Sequence, residues 1–401
     1  ILKDMAIGKK DWFALDSKSI YLTHGSFGAS LKIAFDERLK WQKKLECDPF
    51  DFIVNHSENN LEYSRKILSE YLNCSYSDLV YFPNPSTALN AVIKSLNLEG
   101  GDEVLTTNHE YGSLDRTWKY YSKFKKYHYK KVNIEIPYDD KVDFIQKIKS
   151  EITKKTKIIY LSHITSSTGL IFPIKEICDL AKENNIISII DGAHAPGQIP
   201  IDILDINPDI YVGACHKWMC APKGVSFLYA NKNIQNKIDP LVISWGWESE
   251  VPSPYQFIDY HQYQGTNDIS AYLTIPKIIE FFKVEDWSSI TEKCHNLIIK
   301  FKKLLGENAT GTDFLSCSNN NDNIAQMLSF KIKINSPNFN LLNLNSGGIP
   351  SMQNQFFSYN NIRIPIIIWN NQVFMRVSIQ AYNTEKEIYS LLEALKHFNL
   401  L

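Results

Sequence analysis

Apolar residues recur along this chain in two rhythms. Helical spacing of three and four residues runs through Leu31–Leu45, Leu61–Leu72, Ala88–Leu98, Ser113–Phe124, Asp139–Glu151 and Ile174–Asn184. Between these lie short runs of β-rich or continuously apolar residues: Leu79–Phe82, Glu103–Thr106, Tyr129–Ile136, Lys157–Ser162, the run IISII at 186–190, Ile210–Gly213 and Val225–Ala230. Continuous apolar runs bounded by Gly and Pro suit strands buried on both faces, as in parallel sheets. Strands alternating with helices of this length predict an α/β unit with a mostly parallel sheet. Beyond Ala230 the texture changes to long helical patterns at Ala271–Phe282 and Trp287–Leu305. Strands are predicted at Met327–Ile334 and Val373–Ile379, with a closing helix at Thr384–His397. We expect a large domain over 21–270 and a smaller α+β domain over 271–401, with residues 1–20 packing against the latter.

Several polar interruptions fall where such a sheet presents its ligand-binding edge, just past the carboxyl ends of the strands. Asp191 closes the run at 186–190, and Lys217 follows the strand at 210–213. A carboxylate and a lysine at adjacent strand ends are compatible with an ion pair, the fringe of a metal site or a cofactor clamp. Pro83-Asn84-Pro85-Ser86-Thr87 makes a firm helix start with Ser86 or Thr87 as N-cap, and the same first turn offers donors to a phosphate. Thr23-His24-Gly25-Ser26-Phe27-Gly28-Ala29 carries two glycines ahead of a helix. Such a loop serves either as a hinge or as a close approach to a ligand.

Composition narrows the classes. With 44% hydrophobic and 22% charged residues and a formal net charge of −1, the chain is an ordinary globular one with no electrostatic case for a nucleic-acid partner. The Lys- and aromatic-rich stretch 119–131 reads as a solvated helix face leading into a strand. Seven cysteines without CxxC spacing argue for reduced thiols and a cytoplasmic protein, and against a disulfide framework or zinc site. A metal site from Asp191, His194 and His216 lacks justifiable ligand spacing, so none is expected. No apolar run reaches the ~18 residues of a membrane span. The opening ILKDMAIGKKDW lacks the apolar core of a secretion signal. The first residue is Ile, so a few residues are expected to precede it in the full protein.

The polar groups have a common logic. Ser86, Thr87, His216 and Thr266 suit a phosphate, Tyr111 a stack on a flat ring, Asp191 a ring nitrogen and Lys217 a Schiff base. That is the set of parts pyridoxal phosphate requires. Their order along the chain, in the segments YLTHGSFGA (21–29), NPSTALN (84–90), HEYGSLDRTW (109–118), HITSSTG (163–169), DGAHAPGQ (191–198), HKWMCAPKG (216–224), QGTND (264–268) and RVSIQAYNT (376–384), resembles the class V aminotransferase family of fold type I, and within it the isopenicillin N epimerase-like branch.

The resemblance implies a fold type I architecture, with a mostly parallel seven-stranded sheet flanked by helices. It implies that Lys217 holds pyridoxal 5'-phosphate covalently and serves as catalytic base, that Asp191 pairs with the ring nitrogen, and that His194 contacts the ring hydroxyl. Tyr111 would cover the ring. Ser86, Thr87 and His216 would bind the phosphate together with Thr266 of the other subunit of a homodimer. Arg376 would grip the substrate's α-carboxylate, with His24 and Ser166 beside it; His24 and Tyr111 are also candidates for a second acid/base opposite Lys217. Two residues depart from the branch: Ala214 replaces a polar side chain, and Asn267 an arginine. The activity implied is epimerisation or C–S/β-elimination at Cα of an amino acid or short peptide. Aminotransferase chemistry and a non-catalytic scaffold are the alternatives. Desulfurase chemistry is disfavoured, because no cysteine follows Cys317.

Overall fold

The computed structural model describes residues 7–309, 315–334 and 349–401. Twelve strands are found there: β1 (Ile20–Tyr21), β2 (Leu79–Phe82), β3 (Glu103–Thr107), β4 (His128–Val132), β5 (Thr156–Ser162), β6 (Ile187–Gly192), β7 (Ile210–Ala214), β8 (Ser226–Ala230), β9 (Met327–Lys331), β10 (Ile362–Arg363), β11 (Ile366–Trp369) and β12 (Gln372–Ser378). Strands β2 to β8 form one seven-stranded sheet in the order β2-β8-β7-β6-β5-β3-β4. Pairings among β3, β4, β5, β6 and β7 are all parallel. Apolar cores lie on both faces of the sheet, which is why β2, β7 and β8 are buried at every position.

The run at 225–230 departs from the parallel expectation. It becomes β8, antiparallel to both β7 and β2. A parallel return needs a crossover of a dozen or more residues, usually a helix. The connection 215–225 is too short and is spent on the turn that carries Lys217.

A three-stranded antiparallel sheet, β11-β12-β9, stands beside the large sheet. Residues 8–21 run along this part of the chain. Gly8 and Lys9 donate to the carbonyls of Asn383 and Ala381, Phe13 meets Tyr382 edge-on, and β1 pairs in parallel with β10. The closing helix, Glu385–His397, starts with a reciprocal cap between Thr384 and Glu387, which satisfies two otherwise orphaned amides. Among the described residues no helix is long and apolar enough to cross a membrane.

Candidate active site

At the carboxyl ends of β5, β6 and β7 the sheet opens into a cavity of about 170 Å³. Asp191, the last residue but one of β6, lies directly beside Ser162, its register partner on β5. Its Oδ1 accepts from the Ala193 amide (3.0 Å) and its Oδ2 from the Tyr160 hydroxyl (3.3 Å). Burial raises its pKa, opposed by the Ala193 amide, the Lys217 charge and the Tyr160 hydroxyl. Lys217 projects from the turn after β7, and burial first, with Arg376 nearby, pulls its ammonium down to about 8 against the pull of Asp191. A lysine in that range is a free amine for a useful fraction of the time near neutrality.

Nζ of Lys217 lies 3.1 Å from Nε2 of His194. The other nitrogen of that ring, Nδ1, accepts from the indole N–H of Trp218 at 3.3 Å. His216 also lines the cavity, and its Nδ1 donates to the Val225 carbonyl (2.9 Å). Burial pulls its pKa down to about 4.

The helix Pro85–Ser95 points its first turn at the same space, and Ser86 lines it. Its N-cap is Asn84, not Ser86 or Thr87. The Asn84 side chain accepts from both the amide (2.8 Å) and the hydroxyl (3.0 Å) of Thr87. Proline at the first helical position leaves the residue before it to cap. Thr87 therefore stands back from the cavity, engaged with Asn84.

Tyr111 precedes the helix Gly112–Lys125 and is 44% exposed at the cavity wall. The turn that presents it is tied down from several sides. His109 bonds Thr168 (2.8 Å) and the Ile134 carbonyl (2.9 Å), and Glu110 bonds Thr107 and Ser162.

Arg376, on β12, is buried. Its guanidinium donates to the carbonyl and hydroxyl of Ser166 and to the Ser26 hydroxyl (3.0 Å), and both serines line the cavity. Burial lowers its pKa to about 10, so it stays a cation. Among the described residues its Nε has no hydrogen-bond partner.

Two expected site residues sit elsewhere. His24 is completely buried, with Nδ1 on the Tyr382 hydroxyl and Nε2 on the Lys217 carbonyl, both at 3.0 Å. Its ring packs on Trp218 at 4.9 Å, beneath the lysine turn instead of in the cavity. The expectation put His24 beside the substrate; in the structure it is not among the residues lining the cavity. The loop's close approach is to protein: a Cβ at Gly28, whose φ is +71°, would collide with the His216 carbonyl. Thr266 is exposed and lines a separate cavity with Trp245, Tyr263 and Asn267. Within one chain it does not meet Lys217. Ala214 is buried at the end of β7, opposite Ser226.

Glu110 escaped the sequence reading. It is buried, and desolvation pushes its carboxyl up to about 7, with Asp191 adding to the rise and bonds from Ser162 and Thr107 opposing it. A glutamate at a strand-to-helix junction looks like any solvated turn residue until the fold closes over it.

The residues present fit a phosphorylated aromatic aldehyde: a depressed lysine amine, a buried carboxylate, and the first turn of an 11-residue helix around one cavity. The fold and cofactor are those of the fold type I pyridoxal-phosphate enzymes. Residues 53–391 match the family model for aminotransferase class-V, and the chain belongs to that family. It is 25% identical over 402 residues to an isopenicillin N epimerase of Amycolatopsis lactamdurans, covering 97% of this chain and 98% of the relative. It is 29% identical over 278 residues to that of Streptomyces clavuligerus, covering 67% of this chain and 70% of the relative. Hercynylcysteine sulfoxide lyase of Schizosaccharomyces pombe is 22% identical, covering 97% of this chain and 96% of the lyase. Among solved structures, a C-DES variant with glycine covalently linked to its pyridoxal-phosphate cofactor superposes with a TM-score of 0.80 at 19% identity, covering 96% of this chain and 98% of that one.

Proposed function

We propose that this chain acts at Cα of an amino acid or short peptide, by epimerisation or by C–S/β-elimination. The observation that carries the reading is the placement of Lys217 between Asp191, His194 and the Arg376 pocket in one buried cavity. Pyridoxal phosphate, when bound, supplies an electron sink for negative charge developing at Cα. Asp191, as an anion, holds a proton on the ring nitrogen. Lys217, as a free amine, takes the Cα proton. Arg376 holds the α-carboxylate with a planar guanidinium suited to two parallel hydrogen bonds. Ser86, Thr87 and His216 serve the phosphate, with Thr87 acting through its bond to Asn84.

Elimination needs Lys217 alone as base. Epimerisation needs a second group on the other face, and with His24 directed elsewhere that role falls to Tyr111 or to the partner subunit of a homodimer. The relatives named as epimerases and as a sulfoxide lyase support the two chemistries about equally. Desulfurase chemistry is disfavoured because Cys317 is buried and no cysteine follows it. The test is incubation with amino-acid and peptide panels in deuterated water. Inversion with Cα exchange establishes epimerisation, and release of a 2-oxo acid with a thiol or sulfenate establishes elimination. Stoichiometric transfer of the amino group alone would replace both with transamination.

A further inference from the structure

The hydrogen bonds around His194 have a direction. An indole N–H only donates, so the Trp218 bond to Nδ1 makes that nitrogen the acceptor. Burial first, with the charge of Arg376 adding to it, keeps the His194 ring neutral. A neutral imidazole that accepts at one nitrogen carries its proton on the other. Nε2–H of His194 therefore points at Nζ of Lys217, 3.1 Å away. The bond between them closes only if Nζ offers a lone pair. An ammonium there would face an N–H, donor against donor.

We propose that Trp218 is a positioning residue of the active site: by fixing the tautomer of His194 it holds Lys217 as a neutral amine, ready to condense with the cofactor aldehyde. In that condensation the amine nitrogen bonds the carbonyl carbon, and the carbonyl oxygen leaves as water with the two amine protons. With Lys217 engaged, the same Nε2–H would be left to donate to an oxygen of the bound ring. Trp218 is itself fully buried and packed against His24, so the donor cannot turn away. His24 holds the lysine backbone from the other side, through the Lys217 carbonyl.

Other groups facing Lys217 act independently of this relay. Asp191 on β6 favours the ammonium, Arg376 on β12 disfavours it, and the cavity is also lined by Tyr111 and by His216, whose ring burial keeps neutral. None of them distinguishes one His194 nitrogen from the other. Trp218 does.

The inference rests on Lys217 being the site of capture, and the experiment separates the two. Full-length protein stripped of cofactor is mixed with pyridoxal phosphate across pH 6–10, trapped with borohydride, and the labelled residue is mapped. Native protein should label Lys217 with a midpoint near 8. Trp218→Phe removes only the indole donor from the relay, and its midpoint should rise by about one pH unit, so that capture at pH 7 slows about tenfold. An unchanged midpoint with Lys217 still labelled overturns the role of Trp218 alone. Label on another residue overturns the site itself. Because Trp218→Phe opens a buried space, ¹⁵N-histidine spectra of the native protein stripped of cofactor supply a second readout. A protonated Nε2 and bare Nδ1 at His194 support the relay, and the reverse tautomer overturns it.

Discussion

Glu110 reaches across from the turn after β3 to Ser162 on β5, where one carboxylate oxygen accepts from both the backbone amide (2.8 Å) and the hydroxyl (2.6 Å). The other oxygen takes the Thr107 hydroxyl at 2.7 Å. The clamp fixes the residue just ahead of Tyr111 to the strand whose register partner is Asp191. Two buried carboxylates thus flank Ser162, one facing the cavity and one behind it.

Protonation of Glu110 should be visible in stability. Its folded pKa, about 7, lies above that of an exposed glutamate. The folded state therefore binds more protons between about pH 4.5 and 7, and the contribution present below that window is lost as pH rises through it. Glu110→Gln is neutral throughout. Relative to native protein, the variant should gain stability between pH 5 and pH 8, by up to about 3 kcal/mol. Denaturant midpoints at the two pH values measure the difference, and a pH-independent difference would remove the buried titration.

Arg376 is the residue proposed to hold the substrate carboxylate. Its Nη atoms are directed at Ser26 and Ser166, which line the cavity. Removing one charge-assisted bidentate grip costs on the order of 2–4 kcal/mol. Arg376→Ala should raise KM for α-carboxylate substrates about 100-fold while leaving cofactor affinity near native. Arg376→Lys should recover only part of the loss, because a point charge does not match the planar fork. Steady-state kinetics together with cofactor titration check both. Unchanged KM in Arg376→Ala would take the residue out of the substrate site.

Much of this arrangement was legible in the chain, for physical reasons. The run Leu79–Phe82 is β2 to the residue, since continuous apolar residues between polar turns leave little freedom of assignment. Asp191 and Lys217 fell at strand ends because the sheet's geometry puts them there. The hairpin β11–β12 was not read, although its turn is Asn370-Asn371 with φ of 48° and 58°. Two-residue hairpins need positive φ at both central residues, and Asn tolerates it. Asn73, Asn185, Asn207, Asn361 and Asn399 take the same conformation. Asparagine at these seven positions therefore serves the backbone. The misplacement of His24 and the Trp218 relay share another cause. Which ring nitrogen meets which partner depends on side chains up to 358 residues apart, and no local pattern encodes it.

His216 presents a different acid–base problem. Its Nδ1 proton is spent on the Val225 carbonyl, so in the neutral ring Nε2 is a bare acceptor. A phosphate oxygen is also an acceptor. The two fit together only when Nε2 takes up a proton, which a nearby dianion favours. Cofactor binding at pH 7–8 should therefore be accompanied by proton uptake, seen as a binding heat that varies with buffer ionisation enthalpy. Lys217 sheds protons of its own on condensation, so the informative comparison is with His216→Gln, whose amide donates without protonation and should lower the net uptake by up to one proton per site. A proton count unchanged by His216→Gln would place the phosphate away from His216.

Thr266 supplies the sharpest test of a shared site. In one chain it is exposed beside a cavity it shares with Trp245 and Val251, which are 84% and 88% exposed, and it does not line the cavity that holds Lys217. Large apolar side chains left so open favour a partner surface. If a second copy brings its Thr266 to the phosphate, each complete site takes Lys217 from one chain and Thr266 from the other. Loss of a hydroxyl bonded to a charged phosphate costs about 1.5–3 kcal/mol, so Thr266→Ala should bind cofactor about 10–100-fold more weakly. Lys217→Ala should form no covalent adduct. Co-refolded mixtures of the two variants should regain one site with native affinity per mixed dimer, because one of its two sites pairs an intact Lys217 with an intact Thr266. Titration of the mixture would then show a tight class of sites absent from either variant alone. A mixture that merely averages its parents would confine each active site to one chain.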